Sequence, residues 1–234
     1  MKTKSWIPLE SNPDVLNTYA RTLGLDLSDH AFCDVLGLDK DLLCMVPQPV
    51  LAILMCFPIT KETEAASKAE DVASGSTTAT EVDYFMKQTI GNACGTIGLL
   101  HIVGNCTQQL KLTKDSFLDQ FFKATKDLDP AARGKYLEDP PEGALSIEEA
   151  HQAAASEGNT APPSEDEDVN LHFVVFVQRK GRLLQLDGRR PRPIDCGATT
   201  ESTLLQDTAG VVKKFAELTH SISFNLIALA AIEA

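Results

Sequence analysis

Six cysteines and five histidines are the side chains through which this 234-residue chain could do nucleophilic chemistry. One cysteine stands out by its surroundings. Cys94 lies in Gln88-Thr89-Ile90-Gly91-Asn92-Ala93-Cys94-Gly95-Thr96, just after a Gly-Asn turn. It sits near the start of an apolar stretch, 92–103, that reads as a buried helix ending at Gly104-Asn105. A thiol at a helix N-terminus feels the positive end of the dipole and nearby free N–H groups, which favour the thiolate. Gly95 permits close approach of another backbone or of a substrate. Six residues upstream, the Gln88 amide could aim an N–H at the same point as the Cys94 backbone N–H. Two donors converging on one developing oxyanion are what acyl transfer requires. On this pattern alone Cys94 is equally well a small buried core residue, because free cysteines are often buried.

A nucleophilic thiol needs a base. His101 shares a helix face with Cys94, but seven residues place it roughly 10.5 Å along the axis, too far for a hydrogen bond. It reads as structural. His151 falls in a segment expected to be mobile, and His30 and His220 in turns. His172 is different: it is the one ionisable group in an otherwise apolar strand, 171–177. Alone, such a histidine is more often structural than catalytic. Strand 171–178 and strand 182–187 form a hairpin if the turn between them has two residues. With the turn at Arg179-Lys180, His172 faces Asp187 directly; with the turn at Lys180-Gly181, the two are diagonal neighbours. Both registers leave them on one face, because side chains alternate with period two. Asp187 is then placed to fix the imidazole tautomer and stabilise the imidazolium. A three-residue turn would separate them, and Asp187-Gly188 is also an ordinary turn dipeptide.

The elements that must position these residues read as follows. Asn12-Pro13 marks a helix start, Val15, Leu16, Tyr19, Ala20 and Leu23 keep helical spacing, and Gly24 is a C-cap. The run 50–57, between Pro49 and Pro58, predicts a strand buried on both faces, with a short buried helix as the alternative. Residues 61–83 suggest a surface helix followed by a Ser/Thr/Gly loop. Phe215, Leu218, Ile222, Phe224, Ile227 and Leu229 close the chain with a helix and a final strand. Between 137 and 169 the composition shifts: Pro140-Pro141, Pro162-Pro163, a small-residue run at 153–156 and an acidic run at 165–168. So little apolar content argues against core, although 147–155 could be weakly helical. As a linker the segment would split the chain into 1–137 and 170–234, and the second piece would be marginal alone. One domain, 1–234, with a mobile loop at about 138–169 is preferred.

Composition closes off several function classes. Lys+Arg is 21 against Asp+Glu 33, a net charge of −12, so nucleic acid and anionic membrane surfaces are not expected partners. The first residues contain no secretory segment, and the run 50–57 is far too short to span a bilayer. No C-x-x-C pair is present, so the usual zinc spacings are absent; the cysteines read as reduced, buried thiols, one of them reactive.

The spacing of Gln88 and Cys94 resembles that of papain-like proteases. More specifically, the chain resembles the ubiquitin carboxyl-terminal hydrolases, above all their short L-type branch, over nearly its whole length. The resemblance is carried by Trp6-Ile7-Pro8-Leu9-Glu10-Ser11-Asn12-Pro13, by Met45-Val46-Pro47-Gln48-Pro49-Val50, by Tyr84-Phe85-Met86-Lys87-Gln88-Thr89-Ile90 running on to Gly98-Leu99-Leu100-His101, by Leu171-His172-Phe173 and by Leu186-Asp187-Gly188-Arg189. Asn170 departs from an acidic residue that the family often has there. The resemblance implies an α+β fold: a papain-like α-β-α sandwich around a central antiparallel sheet, with a knotted backbone. It implies Cys94 as nucleophile, His172 as general base and acid, Asp187 as its orienting partner and Gln88 as oxyanion donor, with no cofactor. It implies hydrolysis at the C-terminal Gly of ubiquitin, with ubiquitin-like modifiers as further substrates. Glu10 and Asp34 would bind the arginines of ubiquitin's tail, unless they are ordinary surface charge. The segment 138–169 would cross the active site and favour small or unfolded leaving groups. A monomer is expected, in the cytoplasm and also the nucleus. Two rivals remain at this point: a protein that sequesters monomeric ubiquitin with incidental turnover, and a generic thiol acyltransferase or amidase.

Overall fold

The computed structural model describes residues 4–73, 82–160 and 170–232. Its elements run α1 (Pro13–Thr22), β1 (Leu25–Asp26), β2 (His30–Asp34), α2 (Lys40–Leu43), β3 (Val50–Pro58), α3 (Lys61–Ala73), α4 (Cys94–Asn105), β4 (Lys111–Leu112), α5 (Phe117–Thr125), α6 (Pro130–Glu138), α7 (Glu148–Ser156), β5 (Leu171–Arg179), β6 (Arg182–Leu186), β7 (Ile194–Ala198), α8 (Leu204–Thr219) and β8 (Asn225–Ala231). Six strands form one sheet in the order β2-β8-β3-β5-β6-β7, and every pairing in it is antiparallel. This is the expected α+β arrangement, a central antiparallel sheet flanked by helices.

Two apolar clusters cover the two faces of the sheet. One gathers α1, α4, α5 and α7 around Leu54, Phe173, Val175 and Leu229. The other packs α2 and α8 against Ile53, Met55, Val174 and Phe176. Neighbouring residues of β3 and β5 thus feed opposite clusters, which is why 50–57 and 171–177 are apolar without alternation. The strand prediction for 50–57 therefore holds over its helical alternative. Pairings Arg179↔Arg182 and Val175↔Leu186 put the hairpin turn at Lys180-Gly181. Both turn residues have positive φ, 48° and 76°, which suits the right-handed twist of the strands. The start of α1 is also as expected: the Asn12 side chain accepts from the Asp14 N–H, and Pro13 opens the helix.

Three expectations need correction. The segment 137–169 was expected to contain no core, yet Leu137, Ile147, Ala154 and Ala155 are buried in the larger cluster. Strands from before and after the segment also alternate in the sheet. Small residues suffice here because α7 lies close against α1. His151, placed by sequence in a mobile stretch, is fully buried. His30, expected in a turn, opens β2. The chain does close with a helix and a final strand, α8 and β8, although Leu218 and Ile222 are 68% and 88% exposed. Pro162-Pro163, the acidic run 165–168 and the Ser/Thr/Gly loop at 74–81 lie outside the described residues.

Candidate active site

Cys94 is the first residue of α4. The Gly91-Asn92 turn before it bends through Asn92 at φ 58°, a left-handed position that a short polar residue tolerates. The N-cap is Ala93, which supplies no side-chain cap. The helix therefore presents its first N–H groups uncapped by any side chain at the thiol. Upstream, the chain is zipped to this turn: the Trp6 N–H donates to the Gly91 carbonyl at 3.0 Å, and the Gly91 N–H to the Lys4 carbonyl at 2.8 Å. Pro8, Leu9, Glu10 and Ser11 are thereby carried alongside Cys94. Together with Cys56, Ala155, Thr160, Leu171 and Phe173 they line a cavity of about 210 Å³ at the thiol. Gly95 does allow a close approach, but what approaches is the Leu9 side chain, 3.2 Å from where a Cβ would stand.

His172 and Asp187 meet as the hairpin requires. Asp187 follows the last residue of β6, diagonal to His172 on the same face, and Oδ1 lies 2.8 Å from Nε2 of the imidazole. Both side chains are buried. Burial opposes a charge on His172, but its hydrogen bonds to Asp187 and to the Cys94 thiol outweigh burial and raise it from 6.5 to about 9. The imidazolium is then the main form at neutral pH. Burial would raise the Asp187 carboxyl; the bond to His172, the Arg189 N–H at 2.8 Å and the Arg190 charge bring it below its ordinary value instead. Phe57, opposite His172 in the β3–β5 ladder, sets its ring edge-on to the imidazole at 5.9 Å and to Phe215 at 5.1 Å.

Gln88 is tied to the same loop, its backbone N–H donating to the Gly188 carbonyl at 2.9 Å. Its side-chain nitrogen donates to the Ile90 carbonyl at 3.0 Å, which leaves that amide a second N–H. Its Oε1 is buried without a hydrogen bond among the described residues.

The remaining candidates separate cleanly. Cys56, Cys106 and Cys196 are pushed up to about 12, in each case chiefly by burial, so they are neutral thiols at working pH. His101 is structural as expected: it accepts from the Met86 N–H at 3.1 Å and stacks on Phe85, and burial lowers it to about 4. His151 bridges Thr96 Oγ1 at 2.8 Å and the Ile7 carbonyl at 2.7 Å, under the Trp6 ring. Glu10 lies in the wall of the Cys94 cavity, but its carboxylate accepts the Thr160 N–H and hydroxyl at 3.0 and 2.7 Å, which hold it near 2. Asp34 is exposed at the end of β2 and is not among the residues lining that cavity. Among the described residues no group of acidic, cysteine or histidine side chains is arranged to hold a metal ion, and no helix is long and apolar enough to cross a membrane.

The family model for ubiquitin carboxyl-terminal hydrolase, family 1, matches residues 6–217. The chain belongs to that family. Relatives agree: ubiquitin carboxyl-terminal hydrolase 3 of Arabidopsis thaliana is 49% identical over 229 residues, covering 97% of this chain and 94% of its own. Isozyme L1 of Macaca fascicularis is 41% identical over 224 residues, covering 95% and 96%. The UCH37 catalytic domain of Trichinella spiralis, crystallised bound to ubiquitin vinyl methyl ester, shares the fold with a TM-score of 0.72 at 22% identity, over 98% of this chain and 96% of that one. This hydrolase is thus an enzyme of the cysteine-dependent class. What sequence reasoning missed around its site is Arg190, Lys87 and the contact of Thr160 with Glu10. The doubled arginine beside Asp187-Gly188 was a visible signal for the first; the others depend on chain segments far apart in sequence.

Proposed function

We propose that the hydrolase cleaves amide, ester and thioester adducts from the C-terminal Gly of ubiquitin through a thioester on Cys94. The observation that carries this reading is the buried 2.8 Å contact of His172 with Asp187 beside a thiol at the uncapped start of α4. The Cys94 thiolate attacks the glycyl carbonyl, and the oxyanion forms between the Cys94 N–H and the free N–H of Gln88. As the tetrahedral adduct collapses, the bond to the leaving nitrogen, oxygen or sulfur breaks and the imidazolium of His172 gives it a proton. Neutral His172 then takes one proton from water, whose oxygen attacks the thioester; the C–S bond breaks, the carboxylic acid leaves and gives its remaining proton to solvent, and the thiolate and imidazolium are restored. Asp187 holds the ring in one orientation throughout.

The acidic balance suits a cationic tail, with Glu10 positioned for it and Asp34 a more distant candidate. Because 138–160 already contributes Ala155 and Thr160 to the Cys94 cavity, the segment around it would restrict leaving groups to small or unfolded ones. Single-turnover and steady-state assays on ubiquitin carrying a fluorogenic C-terminal amide test the reading. Cys94→Ser and Cys94→Ala should lose hydrolysis while still binding ubiquitin. Turnover near that of the unmodified enzyme in either variant would refute Cys94 as nucleophile, and very slow product release in the unmodified enzyme would favour sequestration instead.

A further inference from the structure

Arg190 is a buried cation beside the proposed triad, with a side chain only 6% exposed. Its Nη2 donates to Glu70 of α3 at 2.7 Å, and its Nε lies 3.7 Å from Asp187 Oδ2. The other oxygen of Asp187, Oδ1, meets His172 Nε2 and the Arg189 N–H, each at 2.8 Å. The carboxylate is thus held between two cations, one facing each oxygen. The loop that carries it is fixed from several sides. The Arg190 N–H donates to the Asp187 carbonyl at 3.0 Å, and Lys87 Nζ donates to the carbonyls of Arg189 and Arg190. Arg189 pairs with Glu64 of α3 at 3.6 Å.

We propose that Arg190 is a positioning residue: with Glu70 on its far side, it sets how tightly Asp187 retains a proton on His172. The inference rests on the catalytic reading of Cys94, His172 and Asp187. A carboxylate shared with a second cation holds the first one less strongly, and Glu70 in turn moderates Arg190. Such moderation has a chemical use. His172 must give its proton to the leaving group and then take one from water, which a base too strongly paired with its carboxylate does poorly. The other charged and titratable groups around the pair are Cys94 and His101 from α4, Glu64 and Lys68 from α3, Arg189 on the same loop and Cys196 of β7. Arg190 and Glu70 differ from these in forming one chain of contacts that ends on Asp187.

The two partners make opposite predictions, which a purely structural role would not. Histidine NMR of the full chain would follow the His172 ring across pH, alongside the pH profile of kcat/KM on a fluorogenic ubiquitin amide. Arg190→Met should move the His172 titration upward and Glu70→Gln downward, each on the order of half a pH unit. Arg190→Lys should return it most of the way, and KM should stay unchanged in all three. Shifts of the same sign, or a fall in kcat with no movement of the titration, would overturn the proposal. Should Arg190→Met not fold, the downward shift in Glu70→Gln decides alone. Alkylation with iodoacetamide separates this from the catalytic reading: an enzyme fully labelled at Cys94 yet active would sink the triad, whereas the NMR shifts judge Arg190 in either case.

Discussion

Asp187→Asn offers the sharpest test of how the site works. In the folded protein burial alone would push His172 below 6.5, yet the ring sits at about 9 because Asp187 and the Cys94 thiol hold its proton. The change from 6.5 to 9 is a factor of roughly 300 in favour of the imidazolium, or about 3 kcal/mol. Asn keeps the size of the side chain and cannot carry the charge, so burial should win and the ring become mostly neutral at pH 7. The acid that protonates the leaving group then becomes scarce. An amide can also present its N–H to Nε2 and stabilise the wrong tautomer, so the loss in kcat should lie between about 10² and 10⁴. KM should hardly change, because Asp187 is buried behind the imidazole rather than exposed to the tail. Steady-state kinetics across pH 5–10 on ubiquitin with a fluorogenic C-terminal amide would read both quantities. A loss below about tenfold, or one concentrated in KM, would refute the reasoning and make Asp187 a binding or merely structural residue.

Three further outcomes follow from the same geometry. Gln88→Ala should lower kcat by roughly 10²–10³ with KM little changed, the usual loss for one oxyanion donor, and an unaltered kcat would leave the hole to backbone groups alone. Thr160→Val removes the hydroxyl bond to the Glu10 carboxylate and leaves those from the Thr160 N–H and the Asn12 amide. If Glu10 receives a cationic tail, that variant should lower KM a few-fold and Glu10→Gln should raise it, both at constant kcat; a change confined to kcat would disprove the role. His101 and His151 are both lowered from 6.5 to about 4, chiefly by burial. A histidine held neutral in the fold contributes stability above pH 6.5 that is lost as pH falls from 6.5 towards 4, up to about 3 kcal/mol each. Urea unfolding should therefore weaken steeply over that range, and His151→Gln should flatten the slope; an equal slope in the variant would show that carboxylates alone drive acid unfolding.

The legible parts of this molecule are those whose partners lie close in sequence. The hairpin is the clearest case. The period-two geometry of any strand, a two-residue turn with Gly181 and the position of Asp187 fix which face the acid shares with His172, and the observed register is one of the two that arithmetic allowed. The start of α4 is equally local, because a Gly-Asn turn followed by an apolar run needs nothing else to be seen. Where partners are remote, the same reasoning failed. His151 looked free because 137–169 is poor in large apolar residues. The ring is buried by Trp6 and Tyr19, which lie more than 130 residues away. Leu218 has helical spacing relative to Phe215, but periodicity says which residues share a face and not whether anything covers that face.

The functional step that sequence could not supply is the meeting of thiol and imidazole, since Cys94 and His172 belong to different elements. Their contact depends on how closely α4 settles on the sheet. Gly98, one turn beyond Cys94, makes this visible: a Cβ there would stand 2.7 Å from Leu54 Cδ1 of β3 and 3.4 Å from Val175 Cγ2 of β5. Val175 follows His172 by three residues on the same strand, so the helix is pressed against the very element that carries the base. Even a methyl group at Gly98 must displace Leu54 or lift the helix, and the thiol moves with its first turn. A glycine in a helix interior costs stability relative to alanine, roughly 0.5–1 kcal/mol. Its presence in this buried helix is understandable only through the distance it permits. The spacing of Gln88 and Cys94 hints at acyl chemistry, but the closeness of α4 to β5 is what would turn two separate sequence motifs into the proposed reactive pair.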